Sequence, residues 1–327
     1  MDVTPIIDSL NDAQRDAVTA PQEPVLVVAG AGSGKTRVLV HRIAWLVQVE
    51  GVSPHGILAV TFTNKAANEM RARVEELLEL SVNNLWVGTF HGLAHRLLRR
   101  HAESAGLPPG FQILDSQDQL RLIKRIIRDR ELDDSTWQPR EVQWFINGQK
   151  DEGRRPENID ARDDQTRAML ITLYRQYQDI CDQNGLVDFA ELLLRTLELL
   201  EQTPSLLDNY QQRFQHILVD EFQDSNAIQY RWLKLLSEAH GQITAVGDDD
   251  QSIYGWRGAR VENMHQLQQD FSGTQVIRLE QNYRSSGNIL NAANAVIDQN
   301  TGRLGKNLWT EGEDGEPIRV YGDGRTG

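Results

Sequence analysis

Short apolar runs recur along the chain, and most are followed by a polar or glycine-rich turn and then by apolar residues at helical spacing. This order of run, turn and helix predicts a parallel α/β sheet, in which helices connect the strands. Ligands of such sheets bind at the carboxyl ends of the strands, where the polar turns fall. The predicted strands are Val25–Val28, Ile57–Phe62, Leu85–Gly88, Ile217–Val219, Ile243–Val246 and Val276–Leu279.

The strand pattern disappears between about residues 116 and 213, where apolar residues keep a helical spacing. Leu120, Ile123 and Ile127 share one helical stripe, and a basic stripe runs beside it. We therefore expect an all-helical insertion into the α/β domain. The basic stripe is either a solvated helix face or a contact for DNA, and the sequence leaves both interpretations open. Its residues are Arg121, Lys124, Arg125 and Arg128.

Length and composition are those of a soluble globular chain of about two domains, with 327 residues, 39% of them hydrophobic and 25% charged. The polar N-terminal stretch is not a secretion signal, and no apolar run is long enough to cross a membrane. A single cysteine, Cys181, excludes an internal disulfide and a cysteine-based zinc site, and it fits a reducing cytosol. Residues 302–317 are rich in glycine and charge and are predicted as loop.

The charge balance limits how the chain can meet nucleic acid. Its formal net charge is -13 and its isoelectric point about 5.1. A typical nucleic-acid binder has a basic surface, so any contact with DNA must be local here.

The turn after the first predicted strand is rich in glycine and ends in Lys35 and Thr36. A buried strand, a glycine-rich turn and a helix start are the layout of a phosphate-binding P-loop. Backbone N–H groups and the helix dipole would face phosphate oxygens, Lys35 would reach the β and γ phosphates, and Thr36 would bind Mg²⁺. The usual pattern has glycine where this chain has Ala29, and a plain glycine-rich turn is the alternative. We predict that the chain binds a nucleoside triphosphate.

An acidic pair follows the fourth predicted strand. Asp220 comes directly after that strand and is placed to hold Mg²⁺ through water. The adjacent Glu221 can take a proton from the attacking water. An ordinary polar turn is the alternative for this pair.

Four further side chains suit the chemistry of a nucleotide site. Arg284 can pair bidentately with phosphate, and Gln251 can contact both the γ-phosphate and a neighbouring element. Tyr283 can stack on the base. The Gln14 amide can read an adenine edge as donor and acceptor at once, although a solvated helix residue explains it equally well.

Aromatic residues follow the acidic turn after the fifth predicted strand. Tyr254 and Trp256 are flanked by glycines and by Arg257. Aromatic side chains most often belong to a core, but glycines and an arginine beside them favour an exposed platform for stacking on single-stranded bases. Phe62 and His91, which come at the ends of neighbouring strands, would extend the same track.

Taken together and in this order, these stretches resemble the UvrD/Rep/PcrA type of superfamily 1 DNA helicase. An alanine at position 29 is usual in that family. The matching stretches cover almost the whole chain and are Leu10–Gln14, Ala29–Thr36, Thr61–Ala67, Gly88–His91, Leu186–Glu191, Asp220–Asp224, Gly247–Ala259 and Gln281–Ser286.

The resemblance implies ATP and Mg²⁺ as cofactors. Catalytic roles would fall to Lys35, to Glu221 as base, to Gln251 as γ-phosphate sensor and to Arg284 as a γ-phosphate contact. Thr36 and Asp220 would hold the metal. The nucleotide would be bound by Gln14, Ala29, Gly30, Ala31, Gly32, Ser33, Gly34, Lys35, Thr36, Arg37, Tyr283 and Arg284, with Arg37 and Tyr283 flanking the base.

The resemblance also implies a single-strand path and a fold. DNA would be contacted by Phe62, Asn64, His91, Tyr254, Trp256 and Arg257. The fold would be a RecA-like P-loop NTPase domain at residues 1–88 and 215–280, split by the helical insertion at 89–214. Residues 281–327 would begin a second, incomplete RecA-like domain. Movement in this family is 3′ to 5′ on single strands.

We therefore expect the N-terminal motor half of a helicase of DNA repair and replication, which binds ATP-Mg and single-stranded DNA but does not unwind alone. The motor of a helicase-nuclease and a non-catalytic, ATP-gated DNA-binding module are the alternatives. Expected partners are single strands and single-strand/duplex junctions, and mismatch- or excision-repair proteins, with no membrane. The expected location is the bacterial cytoplasm, at the nucleoid. Whether the longer form is a dimer stays open.

Overall fold

The computed structural model describes residues 2–79, 82 and 85–319. Its eight strands are β1 Val25–Ala29, β2 Ile57–Thr61, β3 Trp86–Thr89, β4 Gln112–Leu114, β5 Leu186–Asp188, β6 His216–Val219, β7 Ile243–Gly247 and β8 Gln275–Leu279. Six of them form one parallel sheet in the order β3-β2-β6-β7-β1-β8. The predicted parallel α/β sheet is confirmed, because each of the six apolar runs supplies one of its strands.

The order of the strands decides which turns lie side by side. The neighbours β6, β7 and β1 are followed by Asp220, by Asp248 and by the glycine-rich loop, so these three lie at one edge of the sheet. Val27 of β1 is paired with Val246 on one side and Ile277 on the other. All five residues of β1 are buried, which requires cover on both faces of the sheet.

Helices supply that cover. They are α1 Thr4–Ile7, α2 Asp12–Thr19, α3 Lys35–Gln48, α4 Asn64–Leu78, α5 Phe90–Arg100, α6 Ser116–Asp129, α7 Pro139–Asp151, α8 Gln165–Asn184, α9 Phe189–Gln202, α10 Pro204–Arg213, α11 Ala227–Ser237, α12 Asn263–Asp270 and α13 Gly287–Ile297. Several begin at a side chain that accepts a hydrogen bond from an N–H of the first turn, such as Asn11, Thr63, Thr89 and Asp188. Such caps satisfy donors that the helix itself leaves free.

Buried apolar residues form two clusters that include the strands of the sheet and a third within the insertion. The third includes Ile123 and Ile127 of the predicted apolar stripe, together with Tyr174 and Tyr177 of α8. Helices α6, α7 and α8 therefore enclose a core of their own.

The expectation of an all-helical insertion is wrong in one respect. β4 and β5 lie inside it and form a two-stranded parallel sheet, with Ile113 opposite Val187. Strands of three residues are too short for a periodic pattern, and this pair joins segments that are far apart in the sequence. The pairing delivers Asp188, the last residue of β5, to the start of α9, where it also accepts a hydrogen bond from the Nζ of Lys150 at 2.7 Å.

The expected domain boundaries can be compared with the structure at two points. β3 continues through Thr89, one residue beyond the expected boundary at 88. Of the expected start of a second domain at 281–327, residues 281–319 are described, and the rest of that range lies outside the described residues. Helix α13 and an isolated bridge between Gln281 and Trp309 belong to this part. Within the described residues, no helix has the length and apolar character needed to cross a membrane.

Candidate functional site

The glycine-rich loop runs from the buried end of β1 to the first turn of α3. Gly32 and Gly34 have φ angles of +73° and +90°, a region that side chains other than glycine rarely adopt. Gly34 is also the residue before α3 and supplies no side-chain cap. The N–H groups of the first turn are therefore open to an anion, and the dipole of the fourteen-residue helix favours one.

Residues of neighbouring elements pack closely against this loop. A Cβ added at Gly34 would lie 2.7 Å from the Nε2 of Gln14, and one added at Gly32 would lie 2.7 Å from the Cβ of Arg284. The Oγ of Ser33 donates to the carbonyl of Gly30 at 2.8 Å. The loop is thus held from inside and from both sides, so the positions of its N–H groups are set by packing.

Gln14 is fully buried and joins α2 to the loop. Its Nε2 donates to the carbonyl oxygen of Ser33 at 2.9 Å, and its Oε1 accepts from the N–H of Asn11 at 3.2 Å. One N–H and one lone pair of the amide remain for another partner. The Nδ2 of Asn11 in turn donates to the hydroxyl of Tyr283 at 2.7 Å. One helix end therefore gathers Gln14, Tyr283 and the loop, while the adenine-reading role stays a prediction.

Lys35 and Glu221 meet across the edge of the sheet. The Nζ of Lys35 donates to the Oε2 of Glu221 at 2.7 Å, and the Nε2 of Gln223 donates to the same oxygen at 2.9 Å. Glu221 has a φ of +47°, a conformation that costs energy for a residue with a side chain. Such strain persists because these contacts hold the carboxylate in place.

The carboxylates beside this pair, Asp220 and Asp224, have raised pKa values although the charge of Lys35 opposes the shift. Burial first, and the negative charge of Glu221 second, raise the pKa of Asp220 to about 6. The same two causes raise the pKa of Asp224 to about 6. The Oδ1 of Asp224 is buried and accepts no hydrogen bond from the described residues. Oxygen ligands with excess negative charge fit a divalent cation such as Mg²⁺.

A series of hydrogen bonds links the ends of β6 and β7. The Oε1 of Gln223 accepts from the backbone N–H of Asp248 at 2.9 Å, while its Nε2 contacts Glu221. Gln251 directly follows the acidic turn Asp248–Asp250, and its Nε2 donates to the Oδ2 of Asp248. Gln251 is therefore connected to Glu221 through Asp248, by its side chain and backbone N–H, and through the side chain of Gln223.

Residues 282–284 cover the loop from the side of β8. The backbone N–H of Tyr283 donates to the carbonyl of Gly32 at 2.9 Å, and the Asn282 amide donates to that of Ala31. Arg284 is exposed, and its guanidinium makes no hydrogen bond or ion pair within the described part of the chain. It is thus available to a ligand at the loop.

Thr36 and Arg37, the predicted metal ligand and base contact, occupy the first turn of α3. Arg37 lines a cavity of about 630 Å³ that also borders His41 and Arg73. The structure places both residues beside the loop, and their ligand roles stay predictions.

The predicted single-strand contacts begin at the ends of β2 and β3. Phe62 is half-buried and packs edge-on against Phe90, with ring centroids 5.7 Å apart. Asn64 is exposed at the first turn of α4. The ring of His91 packs against Phe189 at 5.9 Å, and burial lowers the pKa of His91, so this ring is neutral at pH 7.

Phe189 was missed as a candidate. Its side chain is 50% exposed although it directly follows the cap of α9, and it continues the line of His91. An aromatic residue next to a capping aspartate, within the quoted stretch Leu186–Glu191, was the signal available in the sequence.

For Tyr254 and Trp256, the structure decides between an exposed platform and a place in the hydrophobic core. Trp256 is 76% exposed and Tyr254 38% exposed, with ring centroids 6.4 Å apart. Both rings therefore lie at the surface, as stacking on bases requires. The side chain of Arg257 lies outside the described part of the structure, and its backbone belongs to the turn Gly255–Arg257.

Two protein-family models match consecutive parts of this chain. Residues 10–272 match the UvrD/REP helicase N-terminal domain, and residues 277–326 match the UvrD-like helicase C-terminal domain.

Individual relatives agree with these matches. The chain is 60% identical over 321 residues to DNA helicase II of Escherichia coli, which covers 98% of this chain and 45% of that protein. It is 44% identical over 324 residues to the ATP-dependent DNA helicase PcrA of Bacillus subtilis, which covers 98% of this chain and 44% of that protein. The chain thus spans less than half the length of these curated relatives. The extent of the match to the N-terminal domain shows that this chain belongs to the UvrD/REP helicase family.

Proposed function

We propose that the chain is the ATP-hydrolysing motor unit of a 3′–5′ DNA helicase that moves on single-stranded DNA in repair and replication. The observation that carries the proposal is the contact of Lys35 with Glu221 at 2.7 Å, between the glycine-rich loop and the end of β6. It brings the predicted phosphate ligand and the predicted base to one point at the edge of the sheet where ligands bind.

The nucleotide half of the proposal uses the residues around the loop. ATP lies with its phosphates on residues 29–36 and with its base near Gln14, Arg37 and Tyr283. Thr36 and Asp220 are the residues to hold Mg²⁺, which neutralises charge on the phosphate oxygens when it is bound. Glu221 takes a proton from the attacking water.

Cations and an amide complete this site. Lys35 and Arg284 pair with the transferring phosphoryl group, and Gln251 senses the γ-phosphate. Two observations support these roles: the Arg284 guanidinium is exposed and has no partner among the described residues, and Gln251 is connected through Asp248, Gln223 and Glu221 to Lys35.

The DNA half uses the aromatic track. Bases stack on Tyr254, Trp256, Phe62 and His91, with Asn64 and Arg257 contacting the strand. Tyr254 and Trp256 follow Gln251 within a few residues, so a strand on the platform and a phosphate at the sensor act on one segment. An acidic chain that grips DNA only along such a track can release it in every cycle.

The proposed organisation is a RecA-like domain at 1–88 and 215–280, an insertion at 89–214 and the opening of a second RecA-like domain at 281–327. The change from one family domain to the next between residues 272 and 277 supports it. We propose that residues 1–327 bind Mg-ATP and single-strand/duplex junctions without unwinding them. We also propose a bacterial cytoplasmic location at the nucleoid, with repair proteins as partners.

The test measures three properties of the 327-residue chain. Mg-ATP binding should be saturable and should be lost in Lys35→Ala. Hydrolysis should respond to oligo-dT and should fall by about 10²- to 10⁴-fold in Glu221→Gln. A junction with a 3′ single-strand tail should bind more tightly than the same junction with a 5′ tail. Unchanged Mg-ATP binding in Lys35→Ala would rule out the proposed nucleotide site. Hydrolysis with equal rates in wild type and Glu221→Gln would rule out the proposed base.

A further inference from the structure

Residues 303–309, which we call the strap, follow α13 and return to the carboxyl edge of the main sheet. The backbone N–H of Trp309 donates to the carbonyl of Glu280 at 3.0 Å, which fixes one end of the strap. Leu308 packs on the glycine-rich loop so closely that a Cβ added at Gly30 would lie 2.3 Å from its Cδ2. The strap therefore contacts the loop directly.

At its centre the strap carries Lys306, whose side chain is 2% exposed. Its Nζ lies 2.6 Å from the Oδ1 of Asp248, 3.0 Å from the Oδ1 of Asp249 and 2.6 Å from the Oδ2 of Asp250. One ammonium group thus contacts three consecutive carboxylates and offsets part of their negative charge. In its absence, oxygens of these carboxylates that lie within 4.8 Å of one another would repel across a poorly hydrated space.

Other strap contacts hold Asp249 and Asp250 of the same turn. Arg303 pairs with both oxygens of Asp250, at 2.8 Å from its Nε and 2.7 Å from a terminal nitrogen. The backbone N–H of Leu304 donates to the Oδ2 of Asp249 at 2.7 Å. Asp249 and Asp250 therefore each have a strap partner besides Lys306.

Asp248 differs, because its two oxygens are divided between Lys306 and Gln251. Lys306 and the backbone N–H of Asp250, at 3.1 Å, hold the Oδ1, and the Nε2 of Gln251 donates to the Oδ2. Asp248 is itself buried, so its carboxylate can rotate only if one of these partners moves. The position of the Gln251 amide therefore depends on Lys306 through a single shared carboxylate.

We propose that Lys306 is a positioning residue of the nucleotide site, which sets the Gln251 amide for the terminal phosphate of a bound triphosphate. The inference rests on the proposed function, in which Gln251 senses the γ-phosphate. It assigns a role in that site to a residue of the strap, in the part that matches the C-terminal family domain. A clamp that only stabilised the turn would leave the distinction between tri- and diphosphate intact.

The test compares the affinity of the 327-residue chain for Mg²⁺ with mant-labelled β,γ-imido-ATP and with mant-ADP. Lys306→Ala should lower the preference for the triphosphate about fivefold, the effect of one lost hydrogen bond, with little change for the diphosphate. Gln251→Ala should do the same, and the double variant should be no worse than either single one, because both act through Asp248. Lys306→Arg should restore most of the preference.

The test also needs a control variant and a substitute for Lys306→Ala. Lys234→Ala on α11 removes a more exposed ion pair, with Asp270 of α12 at 3.0 Å, and should leave the preference unchanged. If Lys306→Ala fails to fold, Lys306→Gln with Asp249→Asn keeps the summed charge of residue 306 and the turn, and it should show the same loss of preference. Equal losses for both nucleotides, or additive effects of the two single substitutions, would overturn the inference. No nucleotide binding by the unaltered chain would instead contradict the proposed function.

Discussion

The Nζ of Lys35 and the Oε2 of Glu221 are 2.7 Å apart, although 186 residues separate them in the sequence. The lysine stands at the start of α3 and the glutamate two strands away, after β6. The Glu221 carboxylate competes with any phosphate that approaches Lys35. The same ion pair thus bears on affinity and on hydrolysis.

Glu221→Gln separates these two effects. Removing the charge frees Lys35 for phosphate and relieves repulsion in the carboxylate cluster, so Mg-ATP should bind at least as tightly as in the wild type. Hydrolysis should fall by about 10²- to 10⁴-fold, the usual contribution of a positioned base. Equilibrium binding and steady-state turnover on one preparation measure both. Weaker binding together with normal turnover would contradict the assigned roles.

Trp256→Ala tests the aromatic platform. Loss of one stacked base costs about 1–3 kcal/mol, so the affinity for oligo-dT should fall about 5- to 150-fold, with unchanged affinity for Mg-ATP. Fluorescence anisotropy of a labelled oligonucleotide gives the affinity. The matched control is Trp144→Ala, because Trp144 is 68% exposed but lies on α7 outside the predicted contacts. Equal losses in the two variants would show that exposure alone explains the effect.

Gly32→Ala tests the close packing of the loop. The new Cβ would meet the Cβ of Arg284 at 2.7 Å and the Nδ2 of Asn282 at 2.9 Å, with a φ of +73° that alanine disfavours. We expect a loss of more than about 1 kcal/mol in the free energy of unfolding and a large loss of Mg-ATP affinity. Denaturant unfolding measures the first, and nucleotide titration the second. Gly110→Ala, where the added Cβ has open space, should change neither.

Asp151 predicts a pH dependence away from the nucleotide site. Burial first, then the charges of Asp188 and Glu152, raise its pKa to about 7 against the opposing effects of the Asn226 hydrogen bond and of Lys150. Between about pH 4 and pH 7 the folded chain keeps a proton that the unfolded chain has lost. The contribution of this group to stability therefore falls as pH rises through that window.

Asp151→Asn removes this titration and keeps an oxygen that can accept from Asn226. The variant should melt at a higher temperature than the wild type at pH 8, and the difference should shrink toward pH 4. Thermal unfolding across this range measures it. The exposed Asp208→Asn on α10 is the control and should follow the wild type. A constant difference at every pH would contradict the assignment to Asp151.

Local signals account for what the sequence predicted well. The strands of the main sheet are apolar runs bounded by turn residues, and the loop at 29–36 combines glycines, lysine and threonine in one short stretch. Burial of both faces of a parallel sheet leaves such runs almost uninterrupted, so their pattern is visible without the fold. The candidate residues at strand ends followed from the same argument.

Non-local pairing accounts for what was missed. β4 and β5 have three residues each and form only because packing of the insertion brings 112–114 to 186–188. Lys306 stands alone in a stretch predicted as loop, and nothing near it in the sequence marks a partner. Phe189 lies beside His91 only because the fold packs α9 next to α5.

The sequence by itself therefore determined the strand set, the phosphate-binding loop and the family, because each depends on residues that are close together in the chain. Only the tertiary structure decided that Lys35 faces Glu221, that Gln251 shares a carboxylate with Lys306, and that Trp256 is exposed. These relationships depend on the order of the strands and on burial between distant segments, and a linear pattern carries neither.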